Sequence, residues 1–194
     1  MPLVAILSGA GLLVIATAVK ALRETFDAST FPEALAIKVE ALPIIFPMHM
    51  LTGGLALLLV PATVLLRGTA LHKWAGRLAA ADVAIAGLTA VPVALTYPVT
   101  IWAAAGFSAQ GLIWLALLAL GVRNIWRGHV AGHQRMMLMM AAVTSGAVFF
   151  RIYLALWAGF GSHAYFKAFY SLDAWIAWGL PLLVMAAVTR RLGA

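Results

Sequence analysis

Three ionisable side chains stand inside long apolar runs of the sequence: His49, Asp82 and Arg151. Ionisable groups at membrane depth are costly and mark functional sites. Helical counting at about 1.5 Å per residue puts His49 about six residues from one end of the second apolar run and Arg151 about seven from the matching end of the fifth. The two are therefore expected at one depth, and Gln110 and Trp114 of the fourth run and Trp178 of the sixth fall level with them. A histidine, an arginine, a glutamine and two tryptophans at one level would line a pocket for an anionic or quinone-like ligand. The plainer reading is a polar cluster that ties helices together. Arg151 requires a partner in either case, and Asp173 and Glu40 are the acids on offer. Asp82 lies about five residues from the opposite end of the third run, too far from Arg151 for a direct pair. Its expected partner is Arg77 or Arg135, in a structural role.

The other histidines are His72, His129, His133 and His163. His72 and His133 begin the third and fifth long helices on the same side. Two imidazoles from different helices at equal depth are what axial ligation of haem b requires. His129 and His133 are four residues apart, a spacing that also suits a metal on one helical face. The plainer reading is interfacial histidines beside lipid phosphates. Methionines cluster too: Met136, Met137, Met139 and Met140 follow His133, and Met48 and Met50 flank His49. Thioether with imidazole suits copper. Methionine is also a common apolar filler, and neighbouring residues point in different directions around a helix.

Other chemistries find no support. There is no Gly-x-Ser-x-Gly elbow, no His-Glu-x-x-His and no phosphate-binding loop. The absence of cysteine excludes disulfides, thiolate metal sites and cysteine nucleophiles. Only Asp82 and Asp173 lie near membrane depth, so no carboxylate relay is expected.

The elements that must position these residues are membrane helices. Hydrophobic residues make up 64% of the 194-residue chain and charged residues only 10%, against about a quarter charged in soluble domains. Apolar runs at 3–21, 43–66, 77–97, 107–126, 135–158 and 172–189 predict one domain, a bundle of six transmembrane helices. The runs are continuous rather than alternating, which argues for helices over strands. Residues 22–42 form the longest polar stretch, 67–76 a tight basic turn, 98–106 an uncharged loop, 127–134 a basic and His-rich turn, and 159–171 an aromatic interfacial loop. Pro47, Pro61, Pro92 and Pro181 fall inside helices, and Pro47 is expected to kink its helix beside His49.

The formal charge of +7 does not point to nucleic acid, because the basic residues sit at run ends and form no stripe. Six crossings place eight basic residues on one side (Arg67, Lys73, Arg77, Arg123, Arg127, Arg135, Arg190 and Arg191) and four on the other (Lys20, Arg23, Lys38 and Lys167). The excess of Lys and Arg on cytoplasmic loops then puts both termini in the cytoplasm. Ala16-Thr17-Ala18 imitates a signal-peptide cleavage site, but no basic segment precedes it, and the first run is read as a retained helix. No internal repeat is evident.

The order of these residues resembles a bacterial family of multi-pass membrane proteins known as domain of unknown function 2306. The likeness covers about 45–185: His49-x-x-x-Gly53, Ala-Leu-Leu-Leu-Val-Pro61, Arg67, His72-Lys-Trp-Ala-Gly76-Arg77, Trp114, Arg127, His133 with Met137 four later, Arg151, Trp175 and Trp178. Thr63, Met136 and Met139 depart from the family pattern, which often has Gln, Trp and Arg there. The resemblance implies a fold and site positions, and a location in the bacterial inner membrane, but brings no activity. A looser analogy holds with six-helix haem-b cytochromes, whose third and fifth helices supply a ligand pair matching His72 and His133. A second pair fails, since the fourth run has no histidine.

The function expected is therefore a redox or cofactor-binding membrane protein, with haem b or a quinone, in electron transfer. An accessory subunit or assembly factor of a larger membrane complex is the alternative, favoured by the short loops; a homo-oligomer fits the same loops. A small-molecule or metal transporter is the third, because prolines beside polar residues allow broken helices.

Overall fold

A computed structural model describes residues 2–26 and 33–192, and every described element is helical. The long helices are α1 (Pro2–Phe26), α3 (Ile45–Leu65), α4 (His72–Leu95), α5 (Ile101–Trp126), α6 (Val130–Phe160) and α7 (Phe166–Leu192). Short α2 (Glu33–Ala41) precedes α3, and a 3-10 turn at His163–Tyr165 leads into α7. Five segments are long and apolar enough to cross a bilayer: 45–65, 72–95, 101–126, 130–160 and 163–191. Among the described residues, α1 is not one of them.

Several helices extend one or two turns past their apolar runs, because a run ends where composition changes and a helix ends where its backbone bonds do. The uncharged loop expected at 98–106 is helical from Ile101 onward, and Thr100 caps α5 by accepting from the Ala103 N–H at 3.0 Å. The basic turn expected at 67–76 shrinks, because α4 already begins at His72. The polar stretch at 22–42 carries the end of α1 and all of α2, while Asp27 lies outside the described residues. Pro47 sits in the first turn of α3. The N–H groups on either side of it, of Phe46 and Met48, donate to the carbonyls of Leu42 and Ile44 at 3.0 and 3.1 Å, and proline, having no N–H, cannot make the bond between them. Pro61, Pro92 and Pro181 do lie inside helices.

The chain divides into two compact units, residues 1–89 and 90–194. In the first, α1 packs on α3 through small residues. A Cβ on Gly54 would stand 3.1 Å from the Cβ of Ala21 and 3.2 Å from the Ala18 carbonyl oxygen. Close backbone approach of this kind supplies the packing that the hydrophobic effect cannot supply within lipid. In the second unit, α5, α6 and α7 pack on one another. Gly106 meets the backbone of Ala174, with its would-be Cβ only 2.8 Å from that carbonyl oxygen. Phe107, Phe150 and Tyr170 close the same unit in edge-on pairs, at 5.2 Å between the two phenylalanines and 5.4 Å between Phe150 and Tyr170.

Candidate functional site: the anchored histidines

His72 opens α4, and its Nδ1 lies 3.0 Å from the carbonyl oxygen of Thr63, near the end of α3. His133 lies in the first turn of α6, and its Nδ1 lies 2.9 Å from the carbonyl oxygen of Gly121 in α5. A carbonyl oxygen can only accept, so in each ring Nδ1 carries the proton and donates. In the neutral ring the lone pair is then on Nε2, which has no protein partner among the described residues. Histidines that bind metals are held in this way, the second ring nitrogen donating to a carbonyl or carboxylate.

The two turns that set up these bonds are alike. Arg67-Gly68 follows α3 and Arg127-Gly128 follows α5, with a histidine four and five residues beyond the glycine. Gly68 has φ +84 and Gly128 has φ +76, the left-handed conformation that glycine adopts without a steric penalty. After Gly128, the N–H of His129 donates to the carbonyl of Asn124 at 2.9 Å. The likeness of the turns is a short repeat that the residue-by-residue reading missed, and the recurring Arg-Gly before each histidine was its signal. The acceptors, Thr63 and Gly121, carry no signal, because any residue offers a carbonyl.

Gly121 also lets α6 approach. Its absent side chain leaves room for Met137, whose methyl group occupies the place a Cβ would need, while the Cβ of Met136 lies 3.3 Å from that place. Met136 and Met137 thus pack against the carbonyl-bearing residue of the hairpin. His129 is exposed at the N-terminal end of α6 and makes no side-chain capping bond. No group of three or more His, Asp or Glu suited to a metal ion occurs among the described residues.

His49, in the first unit, is anchored likewise. Its Nδ1 lies 3.1 Å from the Ala86 carbonyl oxygen and 3.2 Å from the hydroxyl of Thr89. That hydroxyl donates to Ile85 at 2.7 Å, so it accepts from the ring.

The other four residues of the expected ligand level belong to the second unit, where Gln110 and Trp178 both lie against Gly146 of α6. A Cβ on Gly146 would stand 2.6 Å from the Cβ of Trp178 and 3.0 Å from Nε2 of Gln110. Trp114 donates to the hydroxyl of Thr144 at 3.1 Å, and the Arg151 guanidinium turns back to the Ala147 carbonyl at 2.8 Å. Gln110 donates to the Val143 carbonyl at 3.3 Å, and Trp178 to the Ala174 carbonyl at 2.8 Å. These donors are engaged on the protein's own backbone and on Thr144.

Two expected ion pairs are not made. Asp173 does not pair with Arg151: neither carboxylate oxygen has a hydrogen-bond partner among the described residues. Asp82 does not pair with Arg77, whose guanidinium lies 5.0 Å above the ring of Trp74, one turn back on the exposed side of α4. Both acids lie on buried faces of their helices.

Helices of this length and apolarity define an integral membrane protein with several spans. The chain belongs to the family of predicted membrane proteins called DUF2306, whose sequence profile matches residues 46–189, from α3 through most of α7. No curated protein and no solved structure matches it.

Proposed function

We propose that this protein is a membrane redox protein that binds haem b, with His72 and His133 each a candidate axial ligand. The observation that supports this is the shared anchoring of the two rings, each with Nδ1 donating to the carbonyl of the preceding helix and Nε2 left as the free nitrogen. The haem would supply one-electron chemistry, tuned by axial ligands and their hydrogen bonds. The chain's own contribution is to fix each imidazole's tautomer and to hold its plane against rotation.

We place this activity in a bundle of six crossings with α1 as the sixth, both termini cytoplasmic and the membrane the bacterial inner membrane. The basic residues support that orientation, eight against four. A quinone-like ligand, at the level of Arg151, Gln110, Trp114 and Trp178 or at His49, is the weaker reading, because Trp114 and Trp178 already donate their single ring N–H within the protein.

The test is the visible spectrum of detergent-purified protein from cells supplied with haem precursor, oxidised and then reduced with dithionite. A Soret band with sharp reduced α and β bands, lost in both His72→Ala and His133→Ala and kept in His129→Ala, is expected. A featureless spectrum from folded wild-type protein overturns the haem reading and turns attention to lipid extraction and to partner subunits.

A further inference from the structure

Asp173 is 0% exposed, and neither of its carboxylate oxygens has a hydrogen-bond partner among the described residues. It lies within α7, whose packed face meets α5 and α6. Tyr170, one turn earlier, is wedged against Phe107 and Phe150. Ala174, the next residue, has its carbonyl against Gly106, and Ala177, one turn later, is buried. The residues that flank it on the packed side of α7, Tyr170, Ala174 and Ala177, are aromatic or small. An ionised carboxylate taken out of water without donors is among the most unfavourable groups a fold can hold. Buried polar atoms left without partners are rare enough in native proteins that each calls for a cause.

The ionisable groups on the elements packed around it are few. α5 carries none between Ile101 and Val122. α6 offers Arg151 and Tyr153 along this part of its length, and α7 offers Lys167 and Tyr170. Arg151 donates to the carbonyl of Ala147 on its own helix. Lys167 lies six residues, nearly two turns, before Asp173.

We propose that Asp173 is a proton-binding site inside the second unit, its carboxyl held neutral within the bundle. The ligand is a proton, taken up at a carboxylate oxygen with no other bond made or broken. In that form the side chain is both donor and acceptor, and the site is built by helix packing rather than by a charged partner. The inference does not depend on haem binding.

The chain has only three aspartates, Asp27, Asp82 and Asp173, so aspartate labelled isotopically at the side-chain carboxyl reports on three groups. Infrared spectra of labelled protein in lipid vesicles at neutral pH are expected to contain a protonated-carboxyl band that moves in heavy water. The band should vanish in Asp173→Asn and persist in Asp82→Asn. Titration of the wild-type band towards alkaline pH provides a second reading that requires no variant, and loss of the band should be matched by growth of ionised-carboxylate absorption. If Asp173→Asn removes only ionised-carboxylate absorption, or if wild-type protein has no protonated band at neutral pH, Asp173 is an anion and the proposal fails.

Discussion

The Nδ1 of His133 lies 2.9 Å from the carbonyl oxygen of Gly121, a bond between two helices of one hairpin that closes over a turn of three residues. The bond needs Gly121 to be small as well as to offer a carbonyl, because Met137 fills the place of the missing side chain. Gly121→Ala is therefore expected to lower stability by about 1 kcal/mol, at the low end for overpacking, because the end of the Met137 side chain can swing aside. Thermal unfolding in detergent measures it. The double variant Gly121→Ala, Met137→Ala should recover part of the loss, and strict additivity would show that the methionine is not the obstacle.

The turn glycines act differently. A Cβ on Gly68 or Gly128 would meet no atom within 4 Å, so only the backbone resists a side chain there. Alanine at either position should cost about 1–2 kcal/mol, the penalty for holding an L-residue in the left-handed region. Asparagine should cost less than alanine, and unfolding curves of the two series decide this.

Two further glycines form a matched pair within spans. Gly106 lies against the backbone of Ala174, whereas Gly53 faces open space. Gly106→Ala should disrupt the α5–α7 contact, with a loss of about 1–3 kcal/mol, since a backbone cannot give way as a flexible side chain does. Gly53→Ala should be neutral or stabilising by up to about 1 kcal/mol, from helix propensity. Equal effects at both sites would contradict the close approach.

Trp114 and Thr144 share a buried hydrogen bond of 3.1 Å between α5 and α6. Trp114→Phe keeps most of the ring and removes the donor. A loss of about 0.5–1.5 kcal/mol is expected. A double-mutant cycle with Thr144→Val should yield a coupling energy of the same order, and independent effects would mean that the bond contributes nothing.

Much of this architecture is legible in composition and spacing. Continuous apolar runs mark the spans, and the family pattern around His49, His72, His133 and Arg151 identifies the match that covers residues 46–189. Helix ends are less legible: Thr100 starts α5 well before its apolar run, by a side-chain cap that hydropathy does not register. Partners of polar groups are least legible. Depth counting brings Gln110 and Trp178 to one level, but not onto Gly146, because a glycine's role lies in what approaches it. Reasoning from charge pairs Asp173 with Arg151. The guanidinium instead reaches a carbonyl on its own helix.

The short turn Arg127–His129 also bears on how the protein enters a membrane. The carbonyl of Gly121 and the ring of His133 satisfy one another only when α5 and α6 stand side by side. Threaded into lipid one at a time, each helix would expose a polar group to hydrocarbon. Side-by-side packing of α5 and α6 removes that exposure for both groups at once.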